Sequence, residues 1–117
     1  MAKSTKSLRR RVLAGESVRG TMLFESFSPG VAQIMKLAGC EYILYDMEHT
    51  GIGLETIKEQ VAMCRGLGVA PMVRVPRGEY HFIARALDIG CHGVMVPMVN
   101  TADEARTVVE AMRYPPP

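Results

Sequence analysis

The chain is 117 residues long, enough for one domain with a modest core. Apolar residues make up 48% and charged residues 22%, a balance that excludes a disordered chain, and no apolar run reaches the roughly 18 residues of a membrane helix. The net charge of +2 is uneven: residues 1–20 hold six basic side chains against Glu16 alone, and the rest carries eight against eleven acids.

The basic amino end includes Lys3, Lys6, Arg9, Arg10, Arg11 and Arg19. Neither a recognition helix nor interleaved aromatics accompany these residues, so no nucleic-acid partner is expected. They read as a solvated first helix over residues 7–14, ended by Gly15. Residues 1–6 lack the apolar centre of a secretory signal. Cys40, Cys64 and Cys91 are odd in number and lack C-x-x-C spacing, which argues against a disulfide framework or a zinc site. The expected setting is a reducing cytoplasm, with no membrane partner.

Four short apolar runs, at residues 20–24, 42–45, 72–75 and 93–96, read as strands. They lack in–out alternation, which suits a parallel sheet covered on both faces. Helical patterns separate them. The first has Ser28 as its cap, Pro29 at the first helical position, Gly39 past its end, and one apolar face of Val31, Ile34, Met35 and Ala38. The second carries a stripe of Leu54, Ile57, Val61 and Cys64, and the third spans residues 81–87 with Gly90 closing the turn after it. The fourth opens on the capping-box spacing Thr101-Ala102-Asp103-Glu104, and Pro115-Pro116-Pro117 cannot continue it. The expected fold is therefore α/β: an N-terminal helix, then four parallel strands with outer helices. Right-handed crossovers in sequence order curl such a sheet into a (β/α)₈ barrel, and a whole barrel needs about 250 residues. Residues 1–117 are thus read as one partial barrel domain, its amino-terminal half.

The chemistry concentrates where the second strand ends, in Tyr45-Asp46-Met47-Glu48-His49. The carboxyl ends of strands face the ligand site in such folds. His49 is the candidate general base, and Asp46, three residues earlier, would orient its ring and stabilise its protonated form. The bland alternative is a histidine that merely caps the turn. Arg74 lies in the apolar strand Pro71-Met72-Val73-Arg74-Val75-Pro76, where an unpaired charge is costly. It could grip a carboxylate with two hydrogen bonds, or serve a structural ion pair with Asp46 or Glu48. Asp88, in Leu87-Asp88-Ile89-Gly90, caps a turn or faces a neighbouring subunit's site. His81 and His92 show no metal-ligand spacing with His49 and read as surface or turn residues. Glycine-rich phosphate-binding patterns are absent from the sequence.

These motifs, with Val94-Met95-Val96-Pro97-Met98-Val99, Ala102-Asp103-Glu104-Ala105-Arg106 and Arg113-Tyr114-Pro115-Pro116, resemble the HpcH/HpaI family of class II pyruvate aldolases, related to citrate lyase β subunits. The resemblance is collinear over residues 20–116. It implies a carbon–carbon lyase that cleaves 4-hydroxy-2-oxo acids to pyruvate and an aldehyde, helped by a divalent ion (Mg²⁺ or Mn²⁺). By resemblance His49 is the base with Asp46 as its partner, Arg74 binds the 2-oxo acid, and Asp88 matches a position that reaches the adjacent subunit's site of a homo-oligomer. The metal ligands are expected beyond Pro117, so the 117 residues alone are expected to be inactive. Two other readings stay open: a non-catalytic half-barrel that associates as a structural module, and a fragment of a citrate-lyase-like enzyme acting on acyl-CoA esters.

Overall fold

The computed structural model describes residues 7–113. Lys3 and Lys6 of the basic amino end, and Tyr114 with the three closing prolines, lie outside the described residues. The order is α1 (Leu8–Leu13), β1 (Gly20–Leu23), α2 (Val31–Leu37), β2 (Tyr42–Asp46), α3 (Leu54–Cys64), β3 (Ala70–Arg74), α4 (Tyr80–Asp88), β4 (Gly93–Met95) and α5 (Ala102–Ala111). The strands form one sheet in the order β1-β2-β3-β4, and every pairing is parallel. Four successive β/α units are therefore present, as the alternating periodicity predicts.

One face of the sheet carries Ile43, Tyr45, Val73 and Val75, all fully buried against the helices. From α3 come Ile57, Val61 and Cys64, and from α4 come Ile83 and Ala86. Each of these isoleucine and valine side chains contributes roughly 1.5–3 kcal/mol on burial. Alternate residues point the other way. They form register rows across the sheet, of which Met22, Leu44, Met72 and Gly93 make one. Further toward the strand ends, Asp46, Arg74 and Met95 make the next, so both charged residues face away from the helices.

Three local expectations need correction. β3 runs over Ala70–Arg74 rather than residues 72–75, because Ala70 and Pro71 pair with Tyr42 and Ile43 of β2. Pro71 is accommodated because its carbonyl turns toward His92 N (2.8 Å), on the side where β4 has not yet begun, so no ladder donor is lost. The helix after β1 starts at Val31 with Gly30 as its cap, not at Pro29 with a Ser28 cap. The Ser28 carbonyl accepts Val31 N (3.2 Å) and, with the Phe27 carbonyl, the buried Gln60 side-chain amide at 3.2 and 2.7 Å. That tertiary clamp overrides the local capping signal. On the same helix Val31 and Ala32 are buried, whereas Ile34 is 58% exposed and Ala38 is exposed too, so the predicted apolar face is only half used.

The capping box of α5 forms as its spacing predicts. Thr101 Oγ1 accepts Glu104 N at 3.1 Å, and the Glu104 carboxylate accepts Thr101 N at 3.0 Å. Gly20 is required for a different reason. A Cβ placed there would sit 2.5 Å from the ring of Tyr42, its neighbour on β2. Gly20→Ala should therefore cost about 1–3 kcal/mol, read as a lower urea midpoint with an unchanged slope.

Candidate active site

β2 ends at Asp46, and the chain then turns tightly because the Asp46 side chain caps its own continuation. Oδ1 accepts Glu48 N at 3.0 Å and Oδ2 accepts His49 N at 3.1 Å. The Asp46 carbonyl accepts the Thr50 hydroxyl, which in turn accepts Ile52 N at 3.4 Å. An aspartate bonding its own backbone two and three residues on is the usual device for such a turn.

Asp46 is completely buried, so its charge must be compensated. The register supplies the partner: Asp46 pairs with Arg74 on β3, and Arg74 Nε donates to Asp46 Oδ1 at 2.6 Å. Met47 N donates to the Arg74 carbonyl at 2.9 Å, which ties the turn to the end of β3. The Arg74 guanidinium first, and the Glu48 and His49 amides after it, hold the Asp46 carboxyl below its usual pKa against the opposing effect of burial. A carboxyl with a depressed folded pKa adds stability above its unfolded value of about 3.9 and loses it as pH falls through the folded value. Urea midpoints should therefore decline as pH drops from about 4 downward, and Asp46→Asn should flatten that decline.

Glu48 completes the cluster. Its Oε2 lies 3.2 Å from Arg74 Nε and 3.5 Å from His49 Nε2. The imidazole of His49 is 66% exposed. Asp46, His49 and Arg74 therefore meet on one rim, at the carboxyl ends of β2 and β3, but not as expected in every detail. Asp46 holds the backbone of His49, while the carboxylate beside the ring is Glu48. In the sequence Glu48 belongs to the motif and to a possible ion pair without a role of its own; the signal is its position between Asp46 and His49, on a turn that folds back over Arg74.

The other candidates lie elsewhere. Asp88 is exposed and ends α4, just before β4 begins, so it sits at the rim opposite Asp46 and Arg74. It does not join this chain's own cluster. His81 stacks on Phe82 (centroids 4.2 Å apart) beside Glu79, and His92 precedes β4 at the far rim. Cys64 and Cys91 are buried; Cys64 Sγ lies 3.5 Å from the Tyr45 hydroxyl, and burial pushes the Cys91 thiol up to about 12. Neither is a nucleophile at neutral pH. Among the described residues no three His, Cys, Asp or Glu side chains converge to hold a metal ion. Asp46 and Glu48 are both turned onto Arg74. These residues alone therefore do not fit a divalent-ion site.

Comparison with known proteins gives this cluster a context. Residues 19–117 match the family model for HpcH/HpaI aldolase/citrate lyase. A hydroxypyruvate/pyruvate aldolase from Roseovarius nubinhibens is 41% identical over 88 residues, which cover 75% of this chain and 34% of that protein. A 5-keto-4-deoxy-D-glucarate aldolase from Salmonella paratyphi A is 38% identical over 89 residues, 76% of this chain and 35% of that one. The crystal structure of an HpcH/HpaI aldolase from Desulfitobacterium hafniense DCB-2 superposes with a TM-score of 0.88 at 36% identity, covering 93% of this chain and 42% of its own. The chain thus spans about a third of the length of these curated relatives and corresponds to the amino-terminal half of a barrel. It belongs to the HpcH/HpaI aldolase/citrate lyase family.

Proposed function

We propose that this chain supplies the base and the anion-binding cation of an aldolase that joins a 2-oxo acid such as pyruvate to an aldehyde, and cleaves the 4-hydroxy-2-oxo acid product. The observation that carries the reading is the grouping of Asp46, Glu48, His49 and Arg74 at the carboxyl ends of two adjacent parallel strands. The names of the related proteins favour the same chemistry.

Each residue has a part that follows from its surroundings. The exposed imidazole of His49 takes a proton from the methyl group next to the substrate's oxo carbon; the electron pair of that C–H bond becomes the enolate. In cleavage, His49 takes the proton of the 4-hydroxyl, the C3–C4 bond breaks, and the proton returns to C3. Glu48 beside Nε2 orients the ring. Arg74 makes its hydrogen bond to the described residues through Nε alone, so its Nη donors remain for the substrate's carboxylate and the developing enolate oxygen. Asp46, buried beneath, holds both the guanidinium and the backbone of His49. It is a positioning residue in this account.

The divalent ion implied by the resemblance would act as a Lewis acid on the 2-oxo acid, with ligands outside the described residues. Asp88, on the opposite rim, would serve a neighbouring subunit's site in a homo-oligomer. The 117-residue chain alone is expected to show negligible cleavage of a 4-hydroxy-2-oxo acid, whereas the complete barrel cleaves it. Measurable turnover by the purified chain with Mg²⁺ or Mn²⁺ would overturn the division of labour between the two halves.

A further inference from the structure

The roles given to Arg74 and His49 lend the site a direction. Arg74, at the end of β3, would hold the carboxylate of the 2-oxo acid, and His49, past the end of β2, would take the proton from C3. The line from carboxylate to C3 then runs across the sheet from β3 to β2, and the next strand on that side is β1. The new carbon–carbon bond forms at C3, so the aldehyde comes to lie toward β1. Two spacings of roughly 4.8 Å put β1 about 10 Å from β3, a span of several carbon–carbon bonds.

The end of β1 presents an aromatic ring there. Leu23 pairs with Tyr45, and both belong to the core against the helices. Phe24 follows Leu23 as Asp46 follows Tyr45; it lies outside that core and is 47% exposed. Continuing the alternation of Met22 and Leu23 by one step puts Phe24 on the face of the sheet that carries Asp46 and Arg74. Glu25 after it is exposed and negative, which disfavours an anionic aldehyde. The loop that carries these residues is fixed at both ends. The β1–β2 ladder holds its start, and beyond it the carbonyls of Phe27 and Ser28 accept the buried side-chain amide of Gln60. The Phe27 ring packs into the core, its centroid 6.4 Å from that of Tyr45. Of the two phenylalanines of the loop, one anchors it and the other faces the rim.

We propose that Phe24 is the selectivity residue for the aldehyde, and that its ring makes the site take an uncharged aldehyde with an apolar chain in preference to a hydroxylated or an anionic one. This rests on the roles of Arg74 and His49 stated under the proposed function. The ring buries an apolar chain, whereas hydroxyl groups set against it lose water and gain no hydrogen bond in return.

Butanal, glyceraldehyde and succinic semialdehyde, each offered with pyruvate to the complete barrel, test this. The parental kcat/KM for butanal should exceed both others. Phe24→Ala should lower the ratio of butanal to glyceraldehyde about tenfold or more, and Phe24→Leu, still apolar, should lower it less. Phe24 lies outside the core, so both variants should unfold near the parental urea midpoint. A ratio taken within one variant also cancels any loss of active protein. Exchange of the methyl protons of pyruvate, which needs no aldehyde, separates this inference from the reading beneath it. Parental exchange together with an unchanged ratio in Phe24→Ala would overturn the role of Phe24 alone. Absence of exchange in the parental barrel would overturn the roles of His49 and Arg74, and that of Phe24 with them. A parental preference for glyceraldehyde or succinic semialdehyde would also overturn the proposal.

Discussion

His49→Ala in the complete barrel is expected to lower turnover by about 10²–10⁴-fold, the contribution of a positioned general base. The loss should fall on kcat far more than on KM, because the imidazole is proposed to move a proton and not to hold the 2-oxo acid. The fold should hardly notice. The ring is 66% exposed, and Glu48 is its one carboxylate neighbour within 4 Å among the described residues. Substitutions at such surface positions usually stay within about 0.5 kcal/mol. A large drop in turnover with an unchanged urea midpoint therefore marks a chemical role. A turn-capping histidine would give neither.

Arg74→Met has the opposite signature and should damage stability and chemistry together. It removes the partner of a fully buried carboxylate, since Asp46 lies under the guanidinium at 2.6 Å. Removing one half of a buried pair costs about 3 kcal/mol or more, because the remaining charge is left uncompensated. Urea unfolding of the variant should show that loss. Adding Asp46→Asn should recover part of it, because the stranded charge is then gone. In the complete barrel, Arg74→Met should raise KM for the 2-oxo acid and lower kcat as well, since the same donors are proposed to hold the substrate and the enolate oxygen. Damage to KM alone would leave Arg74 a binding residue with no share in the chemistry.

Much of this is legible in the amino-acid sequence. The starts of β2 at Tyr42 and β4 at Gly93 follow from where apolar runs begin after polar or glycine punctuation, and the α5 cap follows from Thr101 and Glu104. The local signal failed where a distant residue decided the outcome. The early start of β3 depends on pairing with Tyr42 and Ile43, 28 residues earlier in the chain, and the position of α2 depends on Gln60 clamping the Phe27 and Ser28 carbonyls. The site divides the same way. Strand-end placement identified Asp46, His49 and Arg74, because position along a strand can be read from the apolar pattern. Whether Asp46 faced the ring or the backbone of His49 could not be read. That depends on how the turn closes, and the turn closes with Asp46 accepting two successive amides and leaving Glu48 at the imidazole. Asp88 shows a further limit, since helix direction places it at the far rim while the motif alone assigns it no rim.

His49 is proposed to remove a proton from the carbon next to the substrate's oxo group. Exchange of the methyl protons of pyruvate in deuterated water, followed by NMR, isolates that step from the aldehyde and from carbon–carbon bond formation. The complete barrel should exchange them, and His49→Ala should slow the exchange by about 10²–10⁴-fold while pyruvate still binds. Glu48→Gln, which leaves the imidazole in place without its carboxylate neighbour, should slow it less. Exchange by His49→Ala at the parental rate would show that His49 is not the base.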